Sequence, residues 1–312
     1  MQSALRVTSI AGLWEEFQRQ GRSLKEFCRA SLPMARAGAV FAGAGDSYAA
    51  SLAGMYLSDA KVSALDPYTL LYHPKIAKGR EVYFVSVSGR TSSNVMGARR
   101  VRGEARKVVA ITADKDSPLA AEADDVVRLP MTYTPRSVGI LSFSLSIAAV
   151  LKISMGRLEC DFDKALARAP REAERVSFGR GTTFFLGNGA AYPAAIYSAA
   201  KAFEVLGLHS QPEFLEEFGH MGLFSLSKSD SVNIFSCFDP LRLGQRLRDR
   251  LTSKAFRANL IGFQGQSDAA RFFHASFVGQ VSALRAADSR GLTEARFLSL
   301  RDKLEISDGL IY

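Results

Sequence analysis

The sequence predicts an α/β fold with two tandem, doubly wound parallel-sheet domains that are related by duplication. Short apolar segments alternate with helical segments along most of the chain, a pattern typical of βαβ units. The 312 residues are enough for two domains of about 150 residues each. A Gly-rich phrase also occurs twice, as FAGAGDSY at 41–48 and FLGNGAAY at 185–192, which indicates two copies of one unit.

The first copy has four predicted strands, each followed by a helix. Its strands are 38–43, 82–87, 107–112 and 125–129, with helices at 3–32 before them and at 137–155 after them. Residues 160–180 are charged, have a helical pattern and lack a core pattern, so we interpret them as a connector. The second copy has strands near Phe185 and at 232–237 and 258–263, and helices at 192–207, 240–254 and 274–287. The predicted division is an N-terminal helical segment at 1–36, one domain at 37–158, and a second at 159–312 that includes a C-terminal tail.

The composition, 47% hydrophobic and 23% charged, is typical of a globular protein. Neither a signal sequence nor an uncharged apolar run of about 18 residues occurs, so we expect a soluble, cytoplasmic protein without membrane contact. The net charge of +9 is dispersed without aromatic interleaving, which argues against nucleic-acid binding. Cys28, Cys160 and Cys237 form no CxxC pair and the histidines do not cluster, so we expect no disulfide and no metal site.

Hydroxyl side chains cluster after the second predicted strand, at Ser86, Ser88 and Thr91 of the run SVSGRT. Ligands bind at this edge of open α/β sheets, and a helix N-terminus with hydroxyls and free N–H groups suits a phosphate. Ser47, in the neighbouring turn, adds a fourth hydroxyl. An ordinary helix cap is the alternative, but a cap explains one hydroxyl and not four. The loop, with Gly89, therefore predicts a phosphate site.

Gly-rich turns follow the first strand of each copy, with Gly43 and Gly45 in one and Gly187 and Gly189 in the other. Glycine lets the backbone approach a ligand closely and aims helix N-terminal amides at an anion. We therefore include these four glycines as backbone positions of the substrate site. A dinucleotide site would need a third glycine where Tyr stands in both copies, so we expect no nicotinamide cofactor.

Lys201, Glu204 and His220 are the candidates for acid/base chemistry. Lys201 and Glu204 are three residues apart on a predicted helix and would share a face. His220 follows after a break at Gly207 and Pro212. In one cleft the three would supply a charge stabiliser and two proton carriers. On spacing alone, an amphipathic helix with solvated Lys and Glu and a surface His is an equally good interpretation.

The two copies differ in the chemistry they carry. At the place of the serine-rich loop the second copy reads SCFDP at 236–240, without the hydroxyl cluster. At the place of Glu204 the first copy has Ala60. One copy would therefore hold a phosphate while the other transfers protons, in a single compound site.

These motifs resemble the double SIS (sugar isomerase) domain family, above all the isomerase half of glucosamine-6-phosphate synthase, from about residue 38 to 310. The resemblance rests on the SxSGxT loop at 86–91, the phrase FFLGNGAAYPAA, and the KxxE pair followed at the family's spacing by His220. It implies two flavodoxin-like SIS domains and a homodimer with the active site at the interface. It also implies which residues bind the sugar phosphate: Ser47, Ser86, Ser88 and Thr91.

The resemblance further implies roles for the charged residues. Glu204 would move a proton between C1 and C2, His220 would open the sugar ring, in many relatives from across the dimer, and Lys201 would support the enediolate. Pro135-Arg136 is similar to a pair in archaeal bifunctional phosphoglucose/phosphomannose isomerases, which implies that Arg136 also stabilises the enediolate. Lys303 is the candidate for the C-terminal Lys that approaches the sugar carbonyl in the synthase.

The expected function is therefore aldose–ketose isomerisation of a hexose 6-phosphate of the fructose 6-phosphate type, through a cis-enediol and without a metal or organic cofactor. No glutamine-hydrolysing domain precedes the motifs, so we do not expect glutamine-dependent amino transfer. Two alternatives remain open. A glucosamine-6-phosphate deaminase would use the same residues and release ammonia. A non-catalytic sugar-phosphate-binding regulator would have less reason to keep Glu204 with His220.

Overall fold

The computed structural model describes residues 8–236 and 239–312. Cys237 and the beginning of the predicted helical segment at 3–32 lie outside these residues. The chain forms two compact units. The first unit consists of Arg22–Leu158 and Leu300–Tyr312, and the second consists of the described residues up to Gly21 together with Glu159–Ser299. No helix in the described ranges combines the length and the apolar character that crossing a membrane requires.

A five-stranded parallel sheet with the order β2-β1-β3-β4-β5 forms the centre of the first unit. Its strands are β1 (Val40–Gly43), β2 (Ser63–Leu65), β3 (Glu81–Val85), β4 (Lys107–Thr112) and β5 (Asp125–Arg128). Its helices are α2 (Asp46–Leu57), α3 (Pro67–Tyr72), α4 (Ser92–Val101), α5 (Pro118–Ala121), α6 (Leu141–Met155) and α12 (Arg301–Ile311), and α1 (Ile10–Arg29) enters this unit at Arg22. This strand order is that of doubly wound sheets.

A four-stranded parallel sheet with the order β7-β6-β8-β9 forms the centre of the second unit. Its strands are β6 (Thr183–Gly187), β7 (Ser210–Phe214), β8 (Ser231–Phe235) and β9 (Arg257–Ile261). Its helices are α7 (Phe162–Ala173), α8 (Ala191–Leu206), α9 (Leu215–His220), α10 (Leu243–Ser253) and α11 (Asp268–Ser289). The predicted α/β fold with parallel sheets is confirmed. The four strands also have the same spatial order as the first four strands of the other sheet.

The central strands are buried on both faces, which is why they are apolar runs in the sequence. Every residue of β1, β6 and β8 is buried, and in the first sheet Val40, Val82 and Val108 from adjacent strands share one core cluster. Helix α6 is buried over nearly its whole length and packs against α2. Its mainly apolar sequence, without a polar face, therefore reflects a core helix.

Two strands were missed by the sequence analysis. Strand β2 has only three residues, all half-buried, and β7 was interpreted as a break because it contains Pro212. Both strands lie at an edge of their sheet. Proline is tolerated there because an edge strand leaves some N–H groups unpaired by the sheet.

The interpretation of residues 160–180 as a connector without a core pattern is wrong. Residues 162–173 form α7, whose buried face consists of Phe162, Ala165, Ala169 and Ala173, and the helix packs along α11. These positions recur at helical spacing. Three of the four are alanines, so the apolar face carries little hydrophobic signal against the surrounding charged residues.

The compact units divide the chain differently from the predicted domains. Residues 300–312 were assigned to the second domain, whereas they belong to the first unit. There, Ser92 Oγ donates a hydrogen bond to the main-chain oxygen of Tyr312 at 3.1 Å, and Arg136 forms an ion pair with Asp308 at 2.5 Å. Nothing in the local sequence of α12 identifies these partners, because both lie more than half the chain away.

Candidate active site

The serine-rich loop, residues 86–91, connects β3 to the N-terminus of α4. Ser86 and Ser88 are buried, and Ser86 Oγ lies 3.3 Å from Thr91 Oγ1. Thr91 occupies the cap position of α4, yet its side chain makes no capping hydrogen bond. Ser88 Oγ accepts a hydrogen bond from the Arg90 N–H at 3.2 Å. Capping therefore does not account for the hydroxyl cluster, which stands at the N-terminus of a helix where an anion is favoured.

The turn after β1 brings Ser47 to the same edge of the sheet. β1 and β3 are parallel neighbours, so the turns at their carboxyl ends emerge side by side. A Cβ on Gly43 would lie 2.7 Å from the main-chain carbon of Ser47, so only glycine permits this tight entry into α2. Gly187 makes the same close approach to Ala191 in the second unit, and Gly45 and Gly189 both have positive φ. The two turns are thus alike in backbone geometry as well as in sequence.

A cavity of about 680 Å³ opens beside the serine-rich loop in the first unit. It is lined by Arg90, Pro118, Tyr133, Pro135, Arg136, Asp308 and Tyr312. Arg90 belongs to the loop and pairs with Asp114 at 2.9 Å. Of the lining residues, the sequence predicted a role only for Arg136. Lys303 lies exposed on α12, the helix that supplies Asp308 to this cavity.

Among the side chains that line the cavity, Tyr133 has a clearly shifted pKa. Burial, and then the neighbouring Tyr312, raise the pKa of Tyr133 to about 12, against an opposing effect of Arg90. At neutral pH the phenol is therefore protonated and able to donate a hydrogen bond.

Lys201 and Glu204 meet on α8 as their spacing predicts. Lys201 Nζ donates to Glu204 Oε2 at 2.5 Å, and the Lys side chain is 0% exposed whereas the Glu side chain is 34% exposed. A buried ammonium beside a carboxylate favours the charged form of that carboxylate. The alternative of a solvated Lys on an amphipathic helix is therefore wrong. The pair presents the Glu204 carboxylate to solvent from a fixed position.

His220 lies at the end of α9, where its side chain is 70% exposed and its Nε2 is 3.6 Å from Glu216 Oε1. The second Gly-rich turn holds the start of this helix. Asn188 Oδ1 accepts a hydrogen bond from the Leu215 N–H at 3.1 Å, and Tyr192 stacks on Phe214 with ring centroids 3.7 Å apart. The segment FLGNGAAY at 185–192, which also indicates the duplication, thus positions the helix that carries His220.

Residues 35–152 match the SIS domain family. The matched segment contains the first Gly-rich turn, the serine-rich loop and Arg136. No curated protein matches the sequence.

Solved structures resemble the chain over most of its length. Glucosamine-6-phosphate deaminase from Thermotoga maritima superimposes with a TM-score of 0.73 at 19% identity, covering 90% of this chain and 95% of that one. The C-terminal domain of glucosamine-fructose-6-phosphate aminotransferase from Francisella tularensis gives 0.71 at 15% identity, covering 91% and 97%. Tagatose-6-phosphate ketose/aldose isomerase from Escherichia coli gives 0.66 at 17% identity, covering 90% and 94%. At these identities the likeness establishes a shared fold.

Proposed function

We propose that this protein is a phosphosugar isomerase that interconverts the aldose and ketose forms of a hexose 6-phosphate of the fructose 6-phosphate type. The observation that carries the proposal is the Lys201–Glu204 pair, in which a fully buried ammonium fixes a partly exposed carboxylate. Such a carboxylate suits a base that must take up and return one proton at a defined position. The serine-rich loop in the segment that matches the SIS domain family supplies the second requirement, a phosphate site.

The architecture we propose is a pair of SIS domains that arose by duplication. The family match covers the first of them, and the second corresponds to the sheet β6–β9. Their common strand order and the matched turns at Gly43 and Gly187 support this interpretation. In this scheme the first domain carries the serine-rich loop and the second carries the acid/base residues.

The phosphate would be held by the hydroxyls of Ser47, Ser86, Ser88 and Thr91 and by N–H groups at the start of α4. Binding energy from this remote group orients the reacting carbons and restricts their motion. Gly89 has φ of +62°, a conformation that favours glycine, and would let the backbone approach the phosphate. In this scheme Gly43, Gly45, Gly187 and Gly189 provide the backbone surface around the sugar.

In the reaction, His220 would open the ring, and Glu204 would remove the C2 proton of the aldose to give a cis-enediol. Glu204 then returns that proton to C1. O1 gains a proton as the enediol forms, and O2 loses its hydroxyl proton as the carbonyl forms at C2, so the proton count balances. Lys201 would stabilise the developing negative charge. We assign Arg136 to the same task and Lys303 to the sugar carbonyl, as the family resemblances imply.

We further propose a homodimer in which His220 completes the site of the partner. The side chain is exposed, and the apolar residues that follow it, Met221 and Phe224, are 60% and 84% exposed. Large apolar side chains around an exposed His are suited to burial against a second copy of the chain.

Isotope exchange tests the isomerase directly. In deuterated water, we expect the wild-type protein to interconvert fructose 6-phosphate and glucose 6-phosphate and to incorporate deuterium at C2, as read by NMR. Glu204→Gln should lower both rates by about 100-fold or more, because the base is lost. Glu174→Gln, which changes an exposed glutamate of the second unit, should leave both rates unchanged. Absence of interconversion and of exchange, with these sugars and with their amino counterparts, would refute the proposal.

A deaminase is the second candidate, and the superposition on the Thermotoga maritima deaminase favours it. Release of ammonia from glucosamine 6-phosphate, measured by a coupled assay, decides between the two reactions. Tight binding of hexose phosphates without turnover, unchanged in Glu204→Gln, would instead indicate a non-catalytic regulator.

A further inference from the structure

A continuous line of polar side chains runs through the interior of the second unit to Glu204. The buried amides of Gln20 and Gln280 pair at 2.8 Å, and Gln280 Nε2 also donates to the Tyr197 hydroxyl at 3.0 Å. Lys201 Nζ lies 4.9 Å from the centre of the Tyr197 ring and donates to Glu204. The first four of these side chains are fully buried, and Glu204 alone reaches solvent.

Close helix packing makes this line possible. A Cβ on Gly279 would lie 2.4 Å from Ser198 Oγ, so glycine lets α11 approach α8 at this point. The next residue in α11, Gln280, thereby reaches Tyr197, which is the neighbour of Ser198. Tyr197 and Lys201 are four residues apart on α8 and therefore stack along the helix.

The Tyr197 ring contacts the Lys201 ammonium, which also donates to Glu204. A buried ammonium is costly unless several groups compensate for its lost hydration, and an aromatic face within about 6 Å is one such group. A flexible Lys side chain has many rotamers, and the ring restricts them to those that keep the ammonium on the carboxylate. The hydrogen bond from Gln280 fixes the position of the phenol oxygen at the end of the ring.

We propose that Tyr197 is a positioning residue for the proposed base Glu204, acting through the contact of its ring with Lys201. The inference rests on the proposed isomerase function. It assigns Tyr197 no contact with substrate. Its loss should therefore lower turnover without weakening substrate binding.

The test compares Tyr197→Leu, Tyr197→Phe and the control Phe273→Leu in the exchange reaction, with the sugar phosphate that the wild-type protein turns over. Phe273 is an equally buried aromatic of the second unit that packs on Phe162 and Phe277. We expect Tyr197→Leu to lower kcat about tenfold or more with KM within about threefold of wild type. Tyr197→Phe retains the ring and should stay within about threefold in kcat. Phe273→Leu should reduce thermal stability to a similar extent and leave kcat unchanged.

Equal losses of kcat in Tyr197→Leu and Phe273→Leu, or a loss that appears as a raised KM, would overturn the inference. Failure of the isomerase proposal is a separate result, because it would be visible as an inactive wild-type protein. In that case a crystal structure of Tyr197→Leu still shows whether Tyr197 positions the Lys201–Glu204 pair. Separation of Lys201 Nζ from Glu204 Oε2 beyond hydrogen-bond distance supports positioning by Tyr197, and an unchanged pair refutes it.

Discussion

Removing the negative charge of Glu204 should destabilise the fold as well as the reaction. In Glu204→Gln the ammonium of Lys201 stays buried but faces a neutral amide. Breaking a fully buried ion pair from one side costs about 3–5 kcal/mol. Because the Glu204 side chain is 34% exposed, water compensates for part of the lost charge, and we expect a decrease of about 1–3 kcal/mol in the free energy of unfolding.

Removing the other member of the pair should have a smaller effect on stability. Lys201→Met removes the buried charge together with its desolvation cost, and leaves Glu204 as a carboxylate in contact with water. The lost cation–π contact with Tyr197 is worth about 1–2 kcal/mol at a desolvated site. We therefore expect Lys201→Met to change stability by no more than about 1 kcal/mol, since the two effects oppose each other.

The double variant Lys201→Met/Glu204→Gln completes the cycle. It should be more stable than Glu204→Gln alone by about 1 kcal/mol or more, since the buried charge and its desolvation cost are gone. Urea unfolding of the four proteins, followed by circular dichroism, measures these differences. The reasoning is refuted if Glu204→Gln is as stable as wild type, or if the double variant is less stable than Glu204→Gln.

Three further predictions follow from the geometry. Gly43→Ala should lower the free energy of unfolding by about 2 kcal/mol or more, and with it the melting temperature, because the new Cβ would overlap backbone atoms. In the control Gly103→Ala the new Cβ meets no atom within 4 Å, so its stability should be near that of wild type. Thr91→Val keeps the side-chain shape but loses a hydroxyl, so KM for the hexose phosphate should rise about tenfold with kcat little changed, and a lower kcat at unchanged KM would contradict the phosphate role. Burial, opposed by Glu172, lowers the pKa of His274, so the unfolded chain binds its proton first as pH falls through about 6.5. Stability should therefore decrease from about pH 8 to about pH 5.5, by up to about 1.4 kcal/mol per pH unit for this group, and His274→Gln should flatten that slope in urea unfolding; equal slopes in both proteins would contradict it.

The central strands were predictable because burial on both faces leaves an apolar run between turn residues. β4 was predicted with the bounds that the structure has, and β1 and β3 to within two residues. The edge strands were not predictable in this way, because they bury less and are short, and Pro212 argued against β7. The helical character of α7 was predicted, but its buried face was missed for a related reason, since that face consists mostly of alanines.

The candidate site was predictable where its residues are close in sequence. The serine-rich loop and the Lys201–Glu204 pair each fall within one local segment, so spacing alone places their side chains together. Tyr133 and Tyr312, by contrast, are neighbours only because a distant helix joins the first unit. Gln280 meets Tyr197 through a helix crossing at Gly279, and neither residue carries a local motif. Long-range partners of this kind leave no periodic signal in one sequence.

Both compact units are discontinuous in the chain, and this orders events on the ribosome. The strands of the first sheet are synthesised long before residues 300–312. Helix α12 can therefore pack against the first unit only after the end of the chain has been made. During that interval Ser92, Arg136 and the wall of the cavity remain uncovered. A fragment that ends near residue 158 would lack α12 and should therefore expose the part of the cavity that Asp308 and Tyr312 line.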